Sequence, residues 1–157
     1  MKLAVGSDER TTLTDVVLKE LRQQGHELTL YGPLVDKKEM WPEVARNVAE
    51  AVAGGKADQG ILFCWTGTGV SIAANKVPGV RAALCDDAET ARGARLWNDA
   101  NILCLSLRRL SEVIANEILQ VWFTTEYQPN PEDDSCIADV RAIEEKYAPR
   151  SRSPEPT

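Results

Sequence analysis

Apolar residues recur along the chain in two patterns that alternate with one another. Short runs rich in apolar residues predict strands over residues 2–7, 61–64, 80–85 and 102–106, and the alternating pattern of 26–31 predicts a fifth. Between and after these runs, apolar positions repeat at helical spacing, which predicts amphipathic helices that begin near Thr11 or Thr12, Pro42, Val70, Ala88, Leu110 and Asp133. Strands that alternate with helices form βαβ units with parallel strands, so the pattern predicts an α/β fold.

Polar residues follow several of the predicted strands directly. They are Asp8, Glu9, residues 64–69, Asp86 and Ser106. Ligands of open parallel sheets bind beyond the carboxyl ends of the strands, and this rule brings all of these residues to one edge. We therefore expect the functional site at that edge.

The stretch from Gly60 to Lys76 (GILFCWTGTGVSIAANK) has the strongest local signal at this edge. A strand, a glycine-rich turn and a helix start direct several backbone N–H groups at one point, which suits a phosphate or a developing oxyanion. Cys64 ends the strand beside this turn, where a thiolate can act as base or nucleophile. The alternative is a plain βα turn beside a buried thiol, because the spacing matches neither Walker A nor GxGxxG.

Charge and composition restrict the classes of partner. Eighteen Lys and Arg against 24 Asp and Glu give 157 residues a net charge of −6, which argues against nucleic acid and anionic membranes. No stretch approaches the ~20 apolar residues of a transmembrane helix. We expect one domain over residues 1–147 and a disordered tail over 148–157, where apolar periodicity is missing. The four cysteines form no CxxC pair, which favours reduced thiols and a cytoplasmic location.

The sequence offers little for a metal site. His26 is the only histidine, which argues against a His-based zinc site and a Ser-His-Asp triad. Four carboxylates after strands, those of Asp8, Glu9, Asp86 and Asp87, leave a magnesium site as a third alternative. Carboxylates at βα turns usually cap helices, so we expect no metal.

Residues 60–85, together with the motif WNDAN at 97–101, resemble the ribose-5-phosphate isomerase B family, which includes the galactose-6-phosphate isomerase subunits. The resemblance spans roughly residues 1–123, and the run SIAANKVPGVRAAL is its most specific part. It implies a three-layer α/β/α sandwich with a five-stranded parallel, Rossmann-like sheet. It also implies a homodimer or a dimer of dimers with active sites between subunits. The implied reaction is aldose–ketose interconversion of a sugar phosphate through an enediolate, without metal or organic cofactor.

The resemblance also implies roles for individual residues. Cys64 matches the family's catalytic base, and the backbone N–H groups of Gly67, Thr68, Gly69 and Val70 would hold the enediolate oxygen. The residues matched to substrate contacts are Thr66 and Asn98 for the sugar oxygens, Asp8 for a hydroxyl and Arg108 for the phosphate.

Three positions near the site depart from the family pattern. Glu9 and Trp97 stand where the family has histidines, the second of which opens the sugar ring, and Trp65 stands where it has glycine. Glu9 would supply an acid/base group or remain a solvated carboxylate. Of the family's C-terminal phosphate-binding arginines only Arg141 lies near, about two places out of register.

These departures make the chain a divergent member and argue against ribose 5-phosphate as its substrate. One alternative is a short sugar phosphate, such as that of a tetrose, which needs less help with ring opening. Another is a sugar without phosphate, on which Trp65 and Trp97 would stack, although both tryptophans also suit plain packing. The last alternative is a catalytically silent module that binds a sugar or a nucleotide.

Overall fold

The structure, a computed structural model, describes residues 1–149. All but the first two residues of the predicted tail, 148–157, therefore lie outside the described residues. The strands are β1 (Lys2–Ser7), β2 (Glu27–Tyr31), β3 (Gln59–Cys64), β4 (Ala82–Leu84) and β5 (Ile102–Ser106). The α-helices are α1 (Thr12–Gln23), α2 (Trp41–Ala53), α3 (Thr68–Ala74), α4 (Ala88–Asn98), α5 (Glu112–Thr124) and α6 (Pro131–Tyr147). A short 3-10 helix, Gly32–Val35, lies between β2 and α2, where the sequence predicts a loop.

The five strands form one parallel sheet in the order β2-β1-β3-β5-β4, which confirms the predicted fold class. The central strand β3 is apolar throughout its second half because both of its faces are covered. In its register, Phe63 pairs with Ser7 of β1 and Cys64 with Ser106 of β5. The carboxyl ends of β1, β3 and β5 therefore lie side by side.

Helices cover both faces of the sheet and give the three layers that the resemblance implies. Helices α1, α4 and α5 pack on one face, where Phe63 and Trp122 are fully buried. Helices α2 and α3 pack on the other face around Leu62 and Val70. The Trp122 indole donates a hydrogen bond of 2.8 Å to the Gln59 side chain, so its buried N–H is satisfied.

Side-chain caps fix several helix starts. Thr11 forms a capping box at α1, and Asp87 caps α4 by accepting a hydrogen bond of 2.7 Å from the Thr90 N–H. Helix α6 begins at Pro131, earlier than the predicted start at Asp133. The reason is that the Asn130 side chain accepts from the Asp133 N–H, while proline suits the first helical turn.

Apolar positions near the end of the chain are the main departure from the predicted core. Val113 of α5 is 67% exposed, although helical spacing predicts a buried face made of Leu110, Val113, Ile114, Ile118 and Val121. Helix α5 instead buries Ala115, Ile118, Leu119 and Trp122, a face rotated from the predicted one. On α6, Ile137 is buried but Val140 and Ile143 are exposed, which leaves an uncovered apolar stripe beside β4.

Candidate active site

The segment after β3 is held in place by the end of β5. The Leu107 N–H donates to the Cys64 carbonyl and the Arg108 N–H to the Trp65 carbonyl, each over 3.0 Å. The Ser106 hydroxyl also donates to the Trp65 carbonyl over 3.0 Å. Pairing thus continues beyond the regular strands and fixes Arg108 next to the segment that carries Cys64.

Gly67 makes the turn between β3 and α3 possible. Its φ of 74° lies in the left-handed region, where a side chain is strained. A Cβ at this position would lie 2.5 Å from Leu84 Cδ1 and 3.1 Å from the Leu105 carbonyl carbon. The turn therefore presses closely against the ends of β4 and β5, and only glycine fits.

The N–H groups of Gly67, Thr68, Gly69 and Val70 donate no hydrogen bond to any acceptor in the described part of the chain. This is the usual state of a helix start, where the first N–H groups have no intrahelical partner. The hydroxyls of Thr66 and Thr68 lie 2.6 Å apart and bond to each other. The turn therefore combines free backbone donors with two hydroxyls, as the sequence predicts for an anion site.

Cys64 lies at the base of this turn. Its side chain is 5% exposed and belongs to the core formed with α2 and α3. Two other cysteines are buried more completely, and burial raises the pKa of Cys85 to about 12 and that of Cys104 well above its usual range. Those two thiols stay neutral at physiological pH, whereas Cys64 is the buried cysteine that adjoins the donor-rich turn.

Asp8 and Glu9 follow β1 at the same edge. The register pairs Ser7 with Phe63, so the residues that follow them, Asp8 and Cys64, lie side by side. Burial raises the pKa of Asp8, and the Glu9 carboxylate adds to the effect. Glu9 itself is exposed, and the Ser7 hydroxyl donates to its carbonyl and accepts from its N–H.

We expect Asp8→Asn to raise Tm at pH 7.5 by about 1–2 °C, a small gain because water screens the half-buried carboxyl. A raised pKa means that the ionised carboxylate is penalised in the folded state, so the wild type loses stability as pH rises through that pKa. The gain should therefore be present at neutral pH and vanish near pH 4. Thermal unfolding from pH 4 to 8 measures it, with Asp139→Asn on the exposed face of α6 as control. A Tm gain of Asp8→Asn that grows towards acid pH would contradict the raised pKa of Asp8.

A depression of about 320 Å³ opens beside the glycine turn. Its lining residues are Thr66, Thr68, Leu84, Asp86, Ser106, Arg108 and Arg109. Arg108 is exposed and forms no ion pair within residues 1–149, whereas Arg109 lies 3.3 Å from the Asp86 carboxylate. The depression thus offers one unpaired guanidinium and several hydroxyls to an anionic ligand.

Trp97 and Asn98 lie elsewhere. Helix α4 starts after β4 and runs back, so its last residues reach the amino ends of the strands. Arg81, which precedes β4, donates a hydrogen bond of 2.9 Å to the Asn98 carbonyl. Both residues line a second depression of about 440 Å³, between β4 and α6. A single chain therefore does not bring Trp97 and Asn98 together with Cys64.

Two tryptophans lie at the edge that holds Cys64. Trp65, 59% exposed, follows Cys64 directly. Trp41 opens α2, and its ring packs on Gly69, where a Cβ would lie 3.0 Å from the indole. The sequence alone predicts no role for Trp41. In the sequence, Trp41 is an aromatic residue immediately before the proline of a predicted helix start. This local pattern gives no indication that its ring contacts α3.

The described residues contain no group of three or more His, Cys, Asp or Glu side chains that is placed to hold a metal ion. Two of the four carboxylates considered for magnesium have other partners, since Asp87 caps α4 and Asp86 pairs with Arg109. Among the helices of residues 1–149, none has the length and apolar content needed to cross a membrane.

Comparison with known proteins identifies the fold family. Residues 3–139 match the family model described as Ribose/Galactose Isomerase. The chain is 35% identical over 146 residues to ribose-5-phosphate isomerase B of Escherichia coli K12, covering 92% of this chain and 97% of that protein. It is 35% identical over 130 residues to D-erythrulose-4-phosphate isomerase of Pectobacterium atrosepticum, covering 82% and 86% of the two chains.

The solved structures include ribose-5-phosphate isomerase B of Clostridium thermocellum, which superposes with a TM-score of 0.88 at 38% identity. The match covers 94% of this chain and all of the other. Agreement in sequence, length and sheet architecture extends well beyond the glycine turn. The chain belongs to the ribose/galactose isomerase family.

Proposed function

We propose that this protein is an aldose–ketose isomerase that acts on a sugar phosphate, with Cys64 as the base. The observation that carries the proposal is the position of Cys64, at the end of β3 and directly before a turn with four unbonded N–H groups. Family membership supports the isomerase class, and the depression lined by Arg108 supports an anionic substrate.

The reaction needs one proton transfer between carbons. The Cys64 thiolate takes the proton from C2 of the open-chain aldose, and the electron pair of that bond moves to form the enediolate. The N–H groups of Gly67–Val70 stabilise the negative oxygen, a contribution of about 3 kcal/mol in comparable oxyanion holes. Cys64 then returns the proton to C1, while the O2 proton moves to O1, which yields the ketose. Thr66 and Asp8 would orient the sugar oxygens, and Glu9 would assist the proton transfer between them.

We propose Arg108 as the residue that binds the phosphate. We expect Arg108→Gln to raise KM for a phosphorylated substrate by about 10- to 100-fold, because a charge-assisted contact is lost. Affinity for the corresponding free sugar should not change. Steady-state kinetics with both sugars measures the effect, and Arg22→Gln, in the last turn of α1, is the control. An unchanged KM for the sugar phosphate would contradict the role.

A four-carbon sugar phosphate is our first candidate substrate. In an aldotetrose 4-phosphate the O4 oxygen is esterified, so the sugar cannot close a furanose ring and needs no ring-opening residue. Trp97 stands where the family has a ring-opening histidine, which fits such a substrate. The likeness to an enzyme named for a four-carbon sugar phosphate supports the same choice. The unpaired Arg108 favours this substrate over a sugar without phosphate.

We further propose a homodimer, or a dimer of dimers, whose active sites lie between subunits. Trp97 and Asn98 sit at the edge of the sheet opposite Cys64, so a site that contains all three needs two copies of the chain. The exposed side chains of Val140 and Ile143 line the same depression as Trp97 and would be covered in such an assembly.

The free cysteines fit a reducing compartment, and we propose that the protein is located in the cytoplasm.

A mixture of two inactive variants tests the shared site. Cys64→Ala and Asn98→Ala, when co-expressed, should recover about a quarter of the wild-type activity, because half of the dimers are mixed and each mixed dimer has one intact site. Each variant purified alone provides the background rate. Activity no higher than that of the two separate variants would contradict the shared site.

A further inference from the structure

Two guanidinium groups line the depression beside the glycine turn, but they differ in their surroundings. Arg108 has no acidic partner in the described part of the chain, whereas Arg109 lies 3.3 Å from the Asp86 carboxylate. Asp86 lines the same depression, so its negative charge also faces a bound ligand. The two arginines and the one carboxylate give the wall of this depression a net charge of +1.

The ion pair of Asp86 and Arg109 is exposed, with 44% and 69% of the respective side chains accessible to solvent. Water weakens a pair of this kind, so a strongly charged ligand can compete for the arginine. The neighbouring Asp87 caps α4, so the Asp86 side chain is not held in place as a helix cap. The pair is therefore free to open without disturbing a helix.

We propose that Arg109 is a second anion-binding residue and that Asp86 is its resting counter-ion. A doubly charged phosphate group draws Arg109 away from Asp86 and binds between the two guanidinium groups. A neutral sugar hydroxyl interacts with Arg109 too weakly to offset the loss of the ion pair, so Arg109 stays paired with Asp86. Asp86 thus sets how strongly the depression prefers a phosphorylated ligand. This inference rests on the proposed sugar-phosphate substrate and adds a residue pair that determines its charge specificity.

The test measures the affinity of inorganic phosphate by titration calorimetry, with chloride at matched ionic strength as the reference ion. We expect Arg109→Gln to weaken phosphate binding about five- to tenfold and Asp86→Asn to strengthen it by a similar factor. Arg92→Gln is the matched control, since Arg92 forms an exposed ion pair with Glu89 on α4, away from the depression. It should leave phosphate affinity within twofold of the wild type.

The double variant separates a specific pair from a general charge effect. If Asp86 acts mainly by holding Arg109, the gain in phosphate affinity from Asp86→Asn should be clearly smaller in the Arg109→Gln protein than in the wild type, and what remains measures the direct repulsion between the carboxylate and phosphate. An Arg109→Gln variant that binds phosphate as well as the wild type would overturn the inference. So would an Asp86→Asn gain that persists in full without Arg109.

The same titrations distinguish this failure from a failure of the proposed function. A wild type that neither binds phosphate nor isomerises any sugar phosphate would refute both proposals. A wild type that isomerises a sugar phosphate, with an Arg109→Gln variant of unchanged phosphate affinity, would refute only the role of Arg109.

Discussion

Replacing Cys64 with alanine is expected to lower kcat about 10³-fold while the protein stays folded. Positioned acid–base groups contribute about 10²- to 10⁴-fold to enzyme rates, and alanine cannot take a proton. The alanine side chain is smaller than that of cysteine and apolar, so the buried site loses little packing. The measurement is kcat with the sugar phosphate that the wild type converts best. KM should change less than threefold, because the phosphate and hydroxyl contacts remain.

Cys104→Ala is the matched control for this experiment. Cys104 is buried in the same core as Cys64, but it lies in the middle of β5, opposite Leu62, and the glycine turn does not follow it. Both variants should lose a similar, small amount of stability, whereas only Cys64→Ala should lose activity. A Cys64→Ala enzyme that turns over at the wild-type rate would refute Cys64 as the base.

Gly67→Ala should lower the free energy of unfolding by about 2–4 kcal/mol, and Tm by roughly 5–12 °C, the largest stability effect that we expect. Two costs combine. The left-handed backbone at φ 74° strains any residue with a Cβ, and that Cβ would lie 2.5 Å from Leu84. Relief of the clash must displace the turn or the end of β4. The N–H groups then no longer converge, so kcat should fall with stability.

Gly25→Ala separates these two costs. Gly25 has a φ of 83° after α1, but a Cβ there would have no atom within 4 Å. This variant should lose only the conformational cost, about 1 kcal/mol, and keep full activity. Urea unfolding of both variants gives the comparison. Equal losses at the two positions would show that the contact of Gly67 with β4 does not matter.

The central part of the site could be predicted from the sequence because it depends on local structure and on one topological rule. A buried run that ends at Cys64, followed by Thr66 and Gly67, specifies a strand and a left-handed turn. The alternation of strands and helices then places Asp8 and Ser106 at the same edge, whereas Arg108 comes from the family resemblance. The parallel register, with Ser7 opposite Phe63 and Ser106 opposite Cys64, confirms this placement.

Contacts between distant segments could not be predicted from the sequence. Trp41 packs on Gly69 because α2 and α3 share one face of the sheet, which no local pattern encodes. The pair of Asp86 and Arg109 depends on the adjacency of β4 and β5, since each residue follows its strand. Trp97 is different, because a helix that follows a parallel strand must run back. This geometry alone predicts that Trp97 lies at the opposite edge, although the family resemblance assigns Trp97 and Cys64 to the same active site.

We propose that this chain moves a proton between C1 and C2 of a sugar phosphate. The most direct test is deuterium incorporation in heavy water, followed by NMR, across tetroses, pentoses and hexoses with and without phosphate. We predict exchange at C1 or C2 of a phosphorylated sugar, fastest with a four-carbon chain, and about 10³-fold slower exchange in Cys64→Ala. Exchange only with free sugars would contradict the phosphate assignment. No exchange with any sugar would contradict the isomerase itself and favour a binding module.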